Sequence, residues 1–365
     1  MAERLVLHIG AMKTGTTFLQ SVFNTNAAPL AEAGVRFLGG RFGVQSLAVR
    51  DVLNLPKKPK ANRKRWNALL AELDDPAVRT GVVSMEFLSF ARARHLAAFF
   101  EPLADVEVEV VLTVRDMFRV IPAQWQTYVR NFGTDDWSRY QRRIVPSLLN
   151  RRGGQAAHTF HRAQDIETIL ERWRTVVPAD RIHLVTVPGP EAPRDLLWRR
   201  FLEAANLPPI EVDLSQTKDN SSVGYASCDF LRRVNDDLSD VRPVSYRHHM
   251  RPLINQALAP LRASEGKPAL DRRTARYAAR RNAELRALLG DGPHRWVGDL
   301  VDLPDLASDA EVPRHSAAPD LDEVRRSAEA AWAFCTGGEP VPAGLALDDL
   351  VHATAHRMRQ AYQWT

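Results

Sequence analysis

Cysteine is nearly absent from this chain: Cys228 and Cys335 are the two in 365 residues, and they lie far apart. That excludes a disulfide framework or a thiolate metal site built within the chain, and it is the usage expected of a reducing compartment. Long apolar runs are missing too. The amino-terminal run, residues 5–9, is too short for a membrane span or a signal peptide and follows the acidic Glu3, so the expectation is a cytoplasmic protein without a transmembrane segment. Repeats and low-complexity tracts are absent; hydrophobic residues at 45%, charged residues at 25%, 19 glycines and 23 prolines exclude a collagen-like or disordered chain. There is little excess charge of one sign. Forty-nine basic against 44 acidic residues give +5, which suits an anionic ligand but is spread too thinly to demand nucleic acid, and none is expected as a partner. No His/Cys/Asp/Glu cluster has metal-ligand spacing and there is no Gly-x-Ser-x-Gly turn, so neither a metal site nor a serine nucleophile of that type is expected.

What the sequence does contain is alternation. The apolar run 5–9 gives way to a Gly/Thr-rich loop and then to a helix whose buried face is Phe18, Leu19, Val22 and Phe23. Residues 35–38 are a weak strand candidate, 81–84 a second buried strand, and the valine-rich 106–114 a third that breaks at Arg115-Asp116. A helix to about residue 131 follows in spite of Pro122, then an aromatic and basic covering segment over 132–162, an amphipathic helix over 165–177 and a fourth strand over 182–187. Strands that alternate with helices imply an α/β fold with a mostly parallel central sheet flanked by helices, whose ligands lie beyond the carboxyl ends of the strands. From Ser227 onward the pattern is mainly helical, with candidates at 272–289, 320–335 and 347–362. The expected division is an α/β core over 1–235 and a mainly helical C-terminal extension over 236–365. The basic stretch with Lys57, Lys58, Lys60, Arg63, Lys64 and Arg65 reads as a solvated helix start or loop, or as an aid to anion attraction.

The loop after the first strand carries the sharpest signal. Gly10-Ala11-Met12-Lys13-Thr14-Gly15-Thr16-Thr17 has the G-x-x-x-x-G spacing of a phosphate-cradling loop, yet Thr16 stands where a Walker A loop has lysine, and the lysine is Lys13. The amides of Gly15, Thr16 and Thr17 would face a phosphate at the positive end of the helix dipole, the Thr14, Thr16 and Thr17 hydroxyls could add hydrogen bonds, and Lys13 would neutralise charge from inside the loop. Without the Walker lysine, magnesium-dependent triphosphate hydrolysis is disfavoured.

Extended from His8 to Gln20, this segment resembles the 5′-phosphosulfate loop of the sulfotransferases that use 3′-phosphoadenosine 5′-phosphosulfate (PAPS), bacterial members included. The valine-rich strand ending in Arg115-Asp116, followed by a helix with an aromatic at Trp125, is a second feature of that family. The resemblance covers residues 1 to about 235 and implies a P-loop NTPase-like sulfotransferase fold, PAPS as donor, adenosine 3′,5′-bisphosphate (PAP) as product, no metal requirement, and a small-molecule or carbohydrate acceptor. It assigns Lys13, Thr14, Gly15, Thr16 and Thr17 to the 5′-phosphosulfate and Arg115 to the 3′-phosphate. Asn220 and Ser221 either contact the nucleotide or cap a helix. One departure stands out: the family has a serine eight residues after the arginine, and this chain has Ala123. The missing hydrogen bond to a charged group is worth ~1.5–3 kcal/mol unless Arg119, Gln124, Gln126 or Arg130 replaces it.

Sulfuryl transfer needs a base and positive charge on the leaving phosphate. Glu86, at the end of a buried strand, is placed like the catalytic glutamate of carbohydrate-type members, with a structural carboxylate as the other reading; His158 and His161 are competing bases. Lys13 would meet the leaving phosphate. Trp125, Tyr128, Phe132, Trp137 and Tyr140 are candidates for an acceptor pocket, with core packing as the competing role. Two other readings are a P-loop kinase or NTPase, with Asp116 as its metal-binding acid, and a non-catalytic nucleotide-binding protein.

Overall fold

The computed structural model describes residues 4–55, 63–146, 154–217, 223–308 and 310–361. Six strands form one sheet: β1 (Arg4–His8), β2 (Val35–Phe37), β3 (Thr80–Ser84), β4 (Glu107–Val114), β5 (Ile182–Thr186) and β6 (Arg295–Val297). Their order is β2-β3-β1-β4-β5-β6 and each neighbouring pair is parallel. The expected α/β class with a parallel sheet flanked by helices is the architecture observed. Strand β1 lies between β3 and β4, with Val6 opposite Val82 on one side and Glu109 on the other. Strands β1, β3, β4 and β5 are almost wholly buried, which is why they read as continuous apolar runs rather than alternating ones.

The chain divides into two units that alternate along its length. One comprises Met1–Val120, His161–Asn220 and Ala279–Asp305; the other comprises Ile121–Phe160, Ser221–Ala278 and Leu306–Thr365. The division does not fall at a single point after residue 235. Part of the reason is β6, which lies inside the segment expected to be helical and returns residues 295–297 to the sheet beside β5. Three residues are too few to give a period-2 signal, so pairing with β5, not local pattern, makes them a strand.

The sheet-bearing unit has its core where helix α1 (Thr16–Thr25) and the helix Leu196–Ala204 meet the sheet. The Phe23 ring stacks on Phe37 at 5.1 Å and meets Trp198 and Phe201 edge-on at 5.1 and 5.5 Å. Val6, Val82, Val111 and Val185 complete this cluster; truncating one of its large rings to alanine would cost ~3–5 kcal/mol.

The other unit is built of helices. Tyr225–Asp237, Leu321–Thr336 and Leu347–Ala361 pack mutually and bury Leu231, Val234, Ala328, Trp332, Leu350 and Met358. The covering segment over 132–162 contains two helices, Trp137–Ile144 and Gly154–Gln164. The first buries Trp137, Tyr140, Gln141 and Ile144, a spacing of i, i+3, i+4 and i+7, and Asp136 caps it by accepting from the Arg139 amide at 2.7 Å. Among the described residues no helix is long and apolar enough to cross a membrane.

Candidate functional site

The loop between β1 and α1 leaves the sheet where its winding changes direction: the chain runs from β1 to β2 and β3 on one side, and β4 follows on the other. In parallel sheets such a switch opens a crevice beyond the strand ends. The loop is pinned from beneath. The Ala11 amide donates to the Thr113 carbonyl at 2.9 Å, the Thr113 amide and hydroxyl donate to the Gly10 carbonyl at 2.6 and 3.0 Å, and Gln164 Nε2 donates to the Met12 carbonyl at 2.8 Å. The Thr14 hydroxyl turns inward, donating to the Ala11 carbonyl at 2.6 Å and meeting Thr113 Oγ1 at 2.6 Å. It therefore braces the loop.

Under this loop sits His8, fully buried, with Nδ1 2.7 Å from Ser84 Oγ and Nε2 3.2 Å from Thr113 Oγ1. Burial pulls its pKa down to about 3, so the ring is neutral, with one nitrogen donating and the other accepting. The three side chains tie the carboxyl ends of β1, β3 and β4 together. Sequence inspection did not single out this network, because one histidine at the end of an apolar run carries no pattern.

Helix α1 begins at Thr16 behind Gly15, whose φ of 87° is a left-handed conformation that favours glycine. A side chain there would also place its Cβ 2.5 Å from Leu197 Cδ2. No side chain caps this helix, and the first amides of an α-helix have no partner within it, so those of Thr16 and Thr17 are available to an anion. Lys13 is half-buried with φ of 65°. Arg115, just past β4, donates from Nη1 to the Lys13 carbonyl at 3.1 Å, while its Nε is buried with no partner. Burial first, and then the neighbouring Arg119, lower its pKa to about 10 against the opposing pull of Asp116; it stays charged at neutral pH.

Glu86 opens the turn Glu86–Phe90 that follows β3. It lies against the loop: a Cβ on Gly10 would be 3.2 Å from Glu86 Cα and Cβ. Part of Glu86 reaches the surface, but its Oε2 is buried with no partner. Burial raises the carboxyl pKa, opposed by its own amide, by Lys13, by Gln20 and by Arg50. A carboxyl whose proton affinity burial raises, facing a lysine and an arginine, is suited to taking a proton from a bound acceptor. Lys13, Gly15, Thr16, Thr17, Arg115 and Glu86 thus stand together at the ends of three adjacent strands.

Other candidates fall elsewhere. Asn220, Ser221, Lys57, Lys58 and Lys60 lie outside the described residues. Asp116 is engaged in structure: it accepts from the Phe118 amide at 2.8 Å and from Asn282 Nδ2 at 2.8 Å, capping the helix Met117–Val129. Arg119 reaches the carbonyls of Val187 and Pro188 at 3.3 and 3.1 Å. Gln124, next to Ala123, has a buried Nε2 with no partner. His158 is exposed on its helix, and His161 is half-buried. Arg63 and Arg65 of the basic stretch pair with Glu101 and Asp51.

The aromatics considered for an acceptor pocket are packing residues of the helical unit. Trp125, Trp137 and Tyr140 are buried; Trp125 Nε1 and Tyr128 Oη donate to Asp135 at 3.0 and 2.9 Å, and Trp137 Nε1 donates to the Ala269 carbonyl at 2.7 Å. The Phe132 ring lies 3.8 Å from that of Tyr246. Large aromatics whose polar atoms are satisfied this way make a core.

Comparison of the chain with known protein families, with curated proteins and with solved structures finds no match.

Proposed function

We propose that this chain is a PAPS-dependent sulfotransferase that moves a sulfuryl group from PAPS to a hydroxyl or amine of a small-molecule or carbohydrate acceptor. The observation that carries this reading is the convergence of Lys13, Arg115 and Glu86 on the uncapped start of α1, from the ends of β1, β4 and β3. The residues fit the donor. The Thr16 and Thr17 amides suit its 5′-phosphate, and the buried, unpartnered Nε of Arg115 suits its 3′-phosphate. Within this proposal Asn220 and Ser221, which lie outside the described residues, are either nucleotide contacts or a helix cap. Glu86 takes the proton from the acceptor hydroxyl as its oxygen attacks sulfur and the bond from sulfur to the 5′-phosphate oxygen breaks. Lys13 balances the charge that develops on that oxygen. Asp116, held by an amide and Asn282, supports this reading over a magnesium-dependent kinase. The low cysteine content accords with action in the cytoplasm.

The test is calorimetric titration of metal-free protein with PAP, and with ATP plus magnesium for comparison. Binding of PAP, lost in Arg115→Ala, is the expected result. Preference for ATP with magnesium, or binding of neither nucleotide, overturns the proposal.

A further inference from the structure

The turn that carries Glu86 is lined by arginines that form no ion pair among the described residues, although the Glu86 carboxyl lies in the field of Arg50. The Arg50 guanidinium lies over the Phe87 ring, 5.1 Å from its centre, and its Nε is buried with no partner. The Phe87 and Phe90 rings are 6.2 Å apart, and the Arg162 guanidinium lies over Phe90 at 4.5 Å. Arg172 donates to the carbonyls of Ser89 and Ala91 at 3.0 and 3.2 Å, bracing the turn from below. Arg92 begins the helix Ala93–Phe100, and its amide donates to His95 Nδ1 at 3.3 Å. Burial and then Arg94, Arg92 and Arg162 lower the His95 pKa; burial and then Arg92 lower that of Arg162. Like charges are therefore gathered within each other's field. Asp165 is the acidic group that acts on Arg172, and its carboxylate is bonded to Thr168. Among the described residues, none of Arg50, Arg92, Arg162 and Arg172 forms an ion pair, whereas Arg63, Arg65, Arg199, Arg200, Arg281 and Arg286 of the same unit all do.

Cations gathered in one another's field that form no ion pair with the protein's carboxylates are matched by a ligand that brings further negative charge. We propose that the acceptor is itself an oxyanion: a hydroxyl compound bearing a carboxylate, sulfate or phosphate group, held by Arg162, Arg92 and Arg50 across the Phe87 and Phe90 rings so that its hydroxyl meets Glu86. This rests on the transferase reading for the role of Glu86, while the binding of the oxyanion is independent of it. The rings supply a flat apolar wall, and the arginines choose the acid over its neutral counterpart.

A matched pair of probes tests this: 4-hydroxyphenylacetate and 4-hydroxyphenylacetamide, which share ring and hydroxyl and differ in charge. Each is titrated calorimetrically into the full chain, with and without saturating PAP. The acid is expected to bind at least ~10-fold tighter than the amide, as one charge-assisted contact gives. That preference falls to within about twofold in the Arg92→Ala/Arg162→Ala double variant, with amide affinity unchanged, and it weakens as salt is raised. Equal affinity for acid and amide, a preference that survives in the double variant, or no binding of the acid overturns the proposal. PAP titration of the same samples separates the two readings. If PAP fails to bind while the preference for acid holds, the nucleotide reading falls and the oxyanion site stands; if PAP binds and the preference is missing, the reverse is true.

Discussion

Arginine is used in two ways in this protein, and the difference distinguishes scaffold from site. In the helical unit a set of guanidinium groups ends on carboxylates: Asp229 takes Arg232 and Arg233, Asp135 takes Arg139 and Arg143, and Asp240 takes Arg359. Around the Glu86–Phe90 turn of the sheet-bearing unit, they end on phenylalanine rings and carbonyls. A buried carboxylate that has its cations is a closed structural element. Cations that form no ion pair, beside a carboxyl that burial deprives of solvent, make an arrangement completed by something bound.

The largest effects are expected at the loop. Lys13→Ala should lower turnover with PAPS ~10²–10³-fold, the scale of losing one preorganised charge at a transition state. Glu86→Gln should lose turnover while keeping PAP affinity, and it should raise the melting temperature at neutral pH. The sign follows from its raised pKa: a carboxyl whose folded value lies above its unfolded one loses stability as pH rises past the unfolded value, and glutamine removes that loss. Thermal melts paired with PAP titration check both variants; a lower melting temperature together with lost PAP binding would identify Glu86 as structural instead.

The paired side of the comparison is tested at Asp229, buried between two arginines. Asp229→Ala should cost ~3 kcal/mol by urea unfolding, because it leaves the partly buried Arg232 without its carboxylate and Arg233 with only the exposed Asp348. A loss below ~1 kcal/mol would mean that these ion pairs contribute no more than surface pairs do.

A smaller effect is expected from pH. His8, at about 3 when folded against 6.5 in the reference state, stays neutral while the unfolded chain takes up a proton. Stability fully present above pH ~6.5 is therefore lost at up to ~1.4 kcal/mol per pH unit as pH falls toward about 3. His8→Gln should flatten the acid limb of stability against pH; an unchanged limb would assign the acid sensitivity to other groups. Smallest of all, Arg92→Ala and Arg162→Ala should each leave stability within ~0.5 kcal/mol of the wild-type value, since neither holds a carboxylate. A larger loss in urea unfolding would make these arginines scaffold and erase the contrast with the helical unit.

Much of the sheet was legible because buried parallel strands leave continuous apolar runs. Residues 5–9, 81–84 and 182–187 each mark a strand to within about a residue, and the Gly10 to Thr17 loop is visible because positive-φ backbone and a helix start need particular residues. The helix over 117–129 was legible despite Pro122. The Arg50, Phe87, Phe90 and Arg162 array was not, since its members come from three separate stretches and no local pattern joins them.

The sequence by itself determined the order of the buried strands and the helices between them, the position of a phosphate-type loop after the first strand, and the near absence of thiol chemistry, because each is written in local pattern or composition. Tertiary structure decided which charges are paired. It gave Asp116 to a helix cap, Tyr128 to Asp135 and His8 to Ser84 and Thr113, and it left Glu86 Oε2 and Arg115 Nε buried without partners. Pairing depends on distances and burial between groups remote in sequence, and these exist once the sheet has brought the ends of β1, β3 and β4 together.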